Sequence, residues 1–199
     1  MLTSYDDSSL VVDRLRDEAR GQNTAVSSFY FDFAFRKELT ATALLGSILK
    51  EMISGMEIFP EDISPGLNEQ LSTIDEEEPQ LADIVKILQL ITSSQPTFMC
   101  IDGLDECVGE ERVRILDSLK QILERSPCTR IFVTGRPQIR TEIEEPLAGR
   151  VVSVSVCASK DDIITYLRTR LAEDEILDAM DESLEADILE KIPENISGM

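Results

Sequence analysis

FMCIDGLDEC, residues 98–107, joins a run of apolar, strand-forming residues to three closely spaced acids. Apolar residues without polar alternation are typical of a strand covered on both faces, such as the central strand of a parallel sheet. The acids Asp102, Asp105 and Glu106 follow at the point where this strand ends. Because ligands of open α/β sheets bind at the carboxyl ends of the strands, we expect these carboxylates to meet a metal-bound phosphate.

Helical patterns separate the strand-like segments along the chain. The predicted strands are residues 26–33, 98–102, 130–134 and 151–156. The predicted helices are residues 8–19, 40–53, 67–74, 80–93, 110–125 and 137–147, a helix capped by Ser159, and a last helix over 180–192 that ends before Pro193. Strands that alternate with helices imply right-handed crossovers and a parallel sheet with helices on both faces, which is an α/β fold.

The composition indicates a folded, acidic protein. The 199 residues include 39 acids, 19 bases and no histidine, which gives a net charge of -20. This balance argues against a nucleic-acid surface or a patch for anionic membranes. No apolar stretch approaches the roughly 20 residues of a membrane span, and the first residues lack the pattern of a secretory signal. We therefore expect a cytoplasmic protein without nucleic-acid or membrane partners.

Metal sites built from cysteines or from the acid run are not expected. Cys100, Cys107, Cys128 and Cys157 show no C-x-x-C spacing, and there is no histidine to complete a zinc site. Reduced thiols that behave as small hydrophobes are the predicted state. The acidic residues 75–78 lack the alternating ligands and the turn glycine of a calcium loop, so they are predicted to form a solvated loop.

The spacing of the three acids permits two tasks in one crevice. One carboxylate can hold a magnesium ion through a water, while another orients the attacking water. The alternative is that strand ends are often acidic, and that Asp105 and Glu106 merely cap the next helix. Arg136 follows the strand over 130–134 and can stabilise charge on a terminal phosphate. Its alternative role is a structural ion pair with Asp102 or Asp105, and both roles are compatible.

FMCIDGLDEC resembles the extended Walker B motif of NACHT-type STAND P-loop NTPases, and IFVTGRP, residues 131–137, resembles their sensor strand. The spacing of the two motifs and the ending IPENISGM, residues 192–199, are similar to the fungal, nephrocystin-like NACHT group. The resemblance implies an incomplete three-layer, parallel-sheet P-loop NTPase core over residues 1–158. It also implies the truncated start of a C-terminal helical region over residues 159–199.

The resemblance assigns a role to each candidate residue. Asp102 would hold magnesium through water, Asp105 and Glu106 would position or activate the hydrolytic water, and Arg136 would sense the γ-phosphate of ATP or GTP. Members of this family are signalling switches whose oligomerisation follows their nucleotide state. A homo-oligomer, or an assembly with related NACHT proteins, is therefore the expected partner.

The sequence departs from the family at the phosphate loop. It contains no G-x-x-x-x-G-K-[ST] motif and no Gly-Lys pair, although backbone N–H groups and the lysine of that loop cradle the phosphates in the family. The resemblance implies a fragment that lacks the first strand and this loop, so tight binding of magnesium and nucleotide is not expected. A non-catalytic scaffold that keeps the NTPase fold is the alternative. A flavodoxin-like or response-regulator domain is a further alternative, but it would need its acids at the first strand and a lysine late in the chain, and the sequence does not supply that arrangement.

Overall fold

The computed structural model describes residues 4–31, 39–56, 80–173 and 182–196. The chain divides into two compact units, Met1–Val151 and Val152–Met199. The predicted short helix over 67–74 and the predicted acidic loop over 75–78 lie outside the described residues. The predicted division into a core over 1–158 and a helical region over 159–199 stays a prediction.

A three-stranded parallel sheet forms the centre of the first unit. Its strands are β1 (Ala25–Tyr30), β2 (Thr97–Asp102) and β3 (Thr129–Val133), in the spatial order β1-β2-β3. Ala25 lies opposite Thr97, and Thr97 lies opposite Thr129, so the three strands start level with one another. The expected α/β fold with an incomplete parallel-sheet core is confirmed.

Helices connect and flank these strands in the first unit. They are α1 (Ser4–Ala19), α2 (Ala41–Gly55), α3 (Leu81–Ser94), α4 (Gly109–Arg125) and α5 (Arg140–Glu144), and 3-10 turns cover Leu104–Glu106 and Pro137–Ile139. Local signals account for several helix ends. The Thr40 hydroxyl accepts a hydrogen bond from the Ala43 N–H at the start of α2. Gly21 has a φ of 74° just after the end of α1, a conformation that glycine adopts without a side-chain clash.

One face of the sheet carries the hydrophobic core. Met99 and Ile101 of β2 are fully buried on this face, among the apolar side chains of α2, α3 and α4. Those helices supply most of the rest of the core, including Leu44, Leu45, Ile48, Ile84, Leu88, Ile91, Ile115 and Leu119. Burying each large apolar side chain contributes about 1.5–3 kcal/mol. The core therefore holds β2 firmly at the centre of the unit.

Helix α1 covers the other face of the sheet beside β1 and β2. Its Arg16 donates a hydrogen bond to the hydroxyl of Ser28, which lies on the opposite face from the core because side chains alternate along a strand. The same guanidinium contacts the carboxylate of Glu51 on α2, and that carboxylate accepts the Ser28 N–H at 2.8 Å. The carboxylate thereby satisfies one backbone donor at the outer edge of β1.

The predicted strand over residues 151–156 is wrong. These residues form no strand, and Val152, Val154 and Val156 are 90%, 79% and 82% exposed. Their composition favours a strand, but a strand needs hydrogen-bonding neighbours, and no strand of the described ranges pairs with this segment. The predicted strand over 26–33 corresponds to β1, which ends at Tyr30.

The second unit contains two helices, α6 (Lys160–Glu173) and α7 (Glu182–Ile196). Ser159 caps α6 as predicted, because its hydroxyl accepts the Asp162 N–H while the Asp162 carboxylate accepts the Ser159 N–H. The predicted end before Pro193 is wrong, since α7 continues through this proline. Only the last few residues of the helix follow Pro193, so the missing N–H lies close to its natural end. None of the described helices combines the length and the apolar character needed to cross a bilayer.

Candidate functional site at the ends of β2 and β3

Asp102 is the last residue of β2, and its neighbour across the sheet is Thr134, just after β3. The carboxylate is only 4% exposed. The Thr134 hydroxyl donates to Asp102 Oδ1 at 2.5 Å and accepts the Gly103 N–H at 2.9 Å. A buried carboxylate needs such a donor, because an unsatisfied buried polar group costs about 1–3 kcal/mol. Thr134 therefore fixes the orientation of Asp102 and leaves Oδ2 outside this hydrogen bond.

The chain turns sharply at Gly103, immediately after Asp102. Gly103 has a φ of 74° and a ψ of 35°, in the left-handed region that favours glycine. The 3-10 turn Leu104–Glu106 follows, with Leu104 fully buried in the core. The Leu104 N–H donates to the Thr134 carbonyl at 3.0 Å, so the ends of β2 and β3 stay joined beyond their last strand pair. This turn carries Asp105 and Glu106 to the same end of the sheet as Asp102.

Arg136 contacts two of the three predicted acids. Its Nε lies 3.3 Å from Asp105 Oδ2, its Nη2 lies 3.4 Å from Glu106 Oε1, and its backbone N–H donates to Asp105 Oδ1 at 3.1 Å. The residues that follow β2 and β3 are therefore in contact, as predicted. Of the two ion pairs considered as an alternative role, the one with Asp105 is present. The Arg136 side chain is still 56% exposed, so its guanidinium is accessible from solvent.

Gly135 allows Arg136 to approach the acids. A Cβ at Gly135 would lie 2.7 Å from Ile139 Cδ1 and 3.5 Å from Asp105 Oδ1. Because the Ile139 side chain is buried in the core cluster, it has little room to move away. Any larger residue at position 135 would therefore require the buried Ile139 side chain to shift. Gly135 is part of the predicted sensor motif, but no separate role was predicted for it.

A second arginine ties the turn after β2 to helix α5. Arg112 of α4 donates to the Cys107 carbonyl at 2.7 Å and to both carboxylate oxygens of Glu142, at 2.7 Å and 3.1 Å. Its side chain is only 11% exposed. The hydrogen bonds from Arg112 lower the pKa of Glu142 below its usual value. This contact was not predicted, and no local pattern signals it, because Arg112 and Glu142 are thirty positions apart.

Thr134 was also missed as a functional residue, although a signal for it exists. It is a hydroxyl residue directly after an apolar strand, and that strand is the one predicted to lie beside the acidic strand. Parallel neighbours end at the same edge of the sheet, so its hydroxyl was placed to reach Asp102. The general lesson is that the polar residue at one strand end should be considered together with the acid at the next.

The donor set at this site suits a hard cation bound mainly through water. Asp102, Asp105 and Glu106 are oxygen donors, and magnesium proteins use one or two carboxylates while the ion keeps several waters. Within the described ranges, no three His, Cys, Asp or Glu residues lie close enough to enclose a metal ion by themselves.

The cysteines contribute no reactive group to the strand ends. Burial raises the pKa of the Cys100 thiol to about 11 and also raises the pKa of Cys107. Both thiols are therefore protonated and behave as small hydrophobes, as predicted. Cys128 and Cys157 are exposed, so the same description does not extend to them. All four cysteines are free.

A surface cleft of about 460 Å³ lies at the outer edge of β1. Its wall is formed by β1 and α2 and consists of Ser28, Phe29, Tyr30, Ser47, Lys50, Glu51 and Ser54. None of the four predicted site residues lines it. Among its lining groups, the Glu51 carboxylate accepts the Ser28 N–H of β1, a contact that belongs to the packing of the sheet edge.

Comparison with known proteins gives one family match. The family model described as Nephrocystin 3, N-terminal, matches residues 8–136. This range includes all three strands and ends at Arg136, so it contains every candidate site residue. No curated protein and no solved structure matches the sequence.

Proposed function

The chain belongs to the nephrocystin 3 N-terminal family, and from that membership we propose that it carries the acidic and arginine-bearing part of a NACHT-type nucleotide site. The observation that carries this proposal is the contact of Arg136, after β3, with Asp105 and Glu106, after β2. The proposal includes the finer identity of a STAND P-loop NTPase core with a Walker B strand. It also includes a cytoplasmic signalling role.

Each residue has a defined task in this proposal. Asp102, oriented by Thr134, accepts a hydrogen bond from a magnesium-bound water through its remaining oxygen. Asp105 and Glu106 position the attacking water, and either can accept its proton. Arg136 places positive charge at the γ-phosphate, because its exposed guanidinium has five donors, and its Nε and Nη2 contact these carboxylates. ATP or GTP with magnesium supplies the phosphoryl group.

We propose that this chain by itself binds nucleotide weakly. Its sequence contains no Gly-Lys pair, so it lacks the lysine and the glycine-rich loop that would hold the phosphates. Calorimetric titration with magnesium-ATP and magnesium-GTP should show no binding in the micromolar range. A micromolar dissociation constant for either nucleotide would contradict this expectation.

Weak binding can still be located by paramagnetic broadening. We expect Mn²⁺, added with ATP, to broaden the amide signals of Gly103, Asp105, Glu106 and Arg136 before others. Asp102→Asn should remove this selective broadening, because it removes the charge that attracts the ion. Asp117→Asn is the matched control, since Asp117 is an exposed acid on α4. Broadening spread evenly over the acidic surface, or unchanged in Asp102→Asn, would reject the proposed site.

A non-catalytic scaffold is the second candidate, and one observation favours it. Asp105 and Glu106 are already neutralised in part by Arg136, as in a structural ion pair. In this case the chain assembles with related full-length proteins, and its acids do no chemistry. Glu106→Gln in a co-expressed assembly should then leave the nucleotide hydrolysis of that assembly unchanged. A clear fall in the hydrolysis rate would instead favour the catalytic role.

A further inference from the structure

The first turn of α4 contacts the segments that follow all three strands. Glu111 accepts the Ala41 N–H at 2.7 Å, at the start of the helix that follows β1. The next residue, Arg112, donates to the Cys107 carbonyl, after β2, and to the Glu142 carboxylate, after β3. Neither side chain belongs to the proposed nucleotide site. These two neighbours nevertheless connect the segments that carry it.

All three nitrogens of the Arg112 guanidinium are engaged. Nε and Nη2 donate to the two carboxylate oxygens of Glu142 at 2.7 Å and 3.1 Å, and Nη1 donates to the Cys107 carbonyl at 2.7 Å. The Arg112 side chain is only 11% exposed. Paired hydrogen bonds between a guanidinium and a carboxylate fix orientation as well as distance. A lysine, with one nitrogen on a flexible stem, cannot make the same set of contacts.

Helix α5 takes its orientation from this contact. Each of its five residues, all within the described part of the chain, is at least partly exposed, and a helix this short has little stability of its own. The ion pair between Arg140 and Glu144 joins residues of the same helix. Ile143 packs against the core, but apolar contacts are not directional. The hydrogen bonds from Arg112 are therefore what fixes the direction of α5.

The direction of α5 affects Arg136, which precedes the helix by one short turn. The 3-10 turn Pro137–Ile139 connects the two. Ile139 is 4% exposed and holds this turn against the core. One buried side chain sets the depth of a turn but permits rotation about that contact. The second contact, at Glu142, removes this rotation and so fixes the side from which Arg136 reaches the acids.

The same guanidinium holds the turn that carries the acids. Cys107 is buried and ends the 3-10 turn Leu104–Glu106, and its carbonyl accepts the hydrogen bond from Nη1. The contacts of Arg136 with the acids are longer, at 3.1 to 3.4 Å, and the Arg136 side chain is 56% exposed. Long, exposed contacts of this kind are weak on their own. They are favoured when Arg112 already holds the two turns at a fixed separation.

We propose that Arg112 is a positioning residue of the nucleotide site, an inference that rests on the proposed function. Through the Cys107 carbonyl and the Glu142 carboxylate, it sets the position of Arg136 relative to the acids that follow β2. The distance between the charge at the γ-phosphate and the groups that hold the attacking water follows from this contact. If Arg112 only stabilised the fold, its loss would lower the free energy of unfolding but leave the native contact of Arg136 with Asp105 unchanged.

NMR of the full chain without nucleotide separates these two roles. The backbone N–H and Nε–H signals of Arg136 both report its contact with Asp105. Arg112→Lys keeps the charge but removes the paired hydrogen bonds, so both signals should shift toward those of a solvent-exposed arginine. The amide signals of β2 should stay in place. Arg114→Lys is the matched control, since Arg114 is an exposed arginine on the same helix, and it should leave the Arg136 signals unchanged.

Glu142→Gln tests the route through α5. It should shift the same Arg136 signals in the same direction but less far, because an amide oxygen still accepts a hydrogen bond from Arg112. The double variant should shift them no further than Arg112→Lys alone, because both changes remove one shared contact. If Arg112→Lys does not fold, Glu142→Gln decides the question, since the Glu142 side chain is 44% exposed.

Mn²⁺ added with ATP distinguishes failure of this inference from failure of the proposed site. Arg112→Lys should keep the broadening at Gly103 but lose it at Arg136, because broadening falls steeply with distance from the ion. A wild-type chain without selective broadening would reject the nucleotide site, whereas the nucleotide-free shifts of Arg136 decide the role of Arg112. Arg136 signals that stay in place in folded Arg112→Lys and Glu142→Gln chains, or that shift equally in Arg114→Lys, would overturn the positioning role.

Discussion

Strand β2 and residues 151–156 are both short, uncharged or nearly uncharged segments rich in strand-forming residues, yet only β2 is a strand. β2 pairs with β1 on one side and β3 on the other, and its Met99 and Ile101 are fully buried. Val152, Val154 and Val156 of the other segment are at least 79% exposed. The difference shows that strand preference describes how well a residue fits a pleated, packed surface and does not create that surface.

The two segments should differ most in how much the free energy of unfolding falls when one apolar side chain is removed. Ile101→Ala should lower the free energy of unfolding by about 2–5 kcal/mol, because it leaves a cavity in the core. Val154→Ala should change it by less than about 0.5 kcal/mol, since its side chain is exposed. Urea unfolding of both variants measures the difference. Equal losses would mean that residues 151–156 are packed as tightly as β2.

A smaller difference in stability is expected when one hydroxyl group is removed from each region. Thr134→Val removes the partner of the Asp102 carboxylate and of the Gly103 N–H, so it should cost about 1–3 kcal/mol. Ser155→Ala removes an exposed hydroxyl and should cost less than about 0.5 kcal/mol. Thermal unfolding at pH 7 compares the two variants. A stable Thr134→Val protein would show that Thr134 does not orient Asp102.

The smallest effect should be a pH dependence of stability that arises from Glu142, near the strand ends. Hydrogen bonds from Arg112 lower the pKa of Glu142 in the folded state. Glu142 therefore contributes stability above the ordinary glutamate pKa of about 4.3, and this contribution is lost as the pH falls through the lowered, folded-state pKa. Because its side chain is 44% exposed, the contribution at pH 7 should be under about 1 kcal/mol.

Unfolding of Glu142→Gln between pH 7 and pH 3 checks this sign. The wild-type protein should be the more stable of the two at pH 7, and the difference should vanish at the acidic end. Glu145→Gln is the control, because Glu145 is an exposed carboxylate at the end of the same helix. A stability difference for Glu142→Gln that grows with acidity would contradict the expected direction.

The order of the elements could be predicted from the sequence, because most of them contain a complete local signal. The apolar run before Asp102 predicted β2, and the apolar spacing of residues 110–125 predicted α4 to within one residue. The strand predicted over residues 151–156 was wrong because the local signal is incomplete. Alternation of residue types specifies which side chains share a face, but a hydrogen-bonding neighbour has to come from elsewhere in the chain. The predicted helix end before Pro193 was wrong because a proline near a helix end destabilises the helix less than one in its interior.

The sequence predicted which candidate residues lie close together, but it did not predict the side-chain contacts that fix their positions. The position of Asp102 and Arg136 at the ends of adjacent parallel strands followed from the strand pattern and the rule for α/β sheets. The hydroxyl of Thr134 and the buried guanidinium of Arg112 were not predicted. Both act through partners distant in sequence, and such contacts depend on how elements pack rather than on local spacing.

The sequence by itself determined the parallel α/β layering, the acids that follow β2 and the arginine that follows β3, because these depend on local apolar patterns and on the ends of elements. Only the tertiary structure decided which strand-like segments became strands, and which oxygen of Asp102 is held by Thr134. The physical reason is that backbone hydrogen bonds and buried polar contacts need two partners, and their positions are settled only when distant parts of the chain pack together.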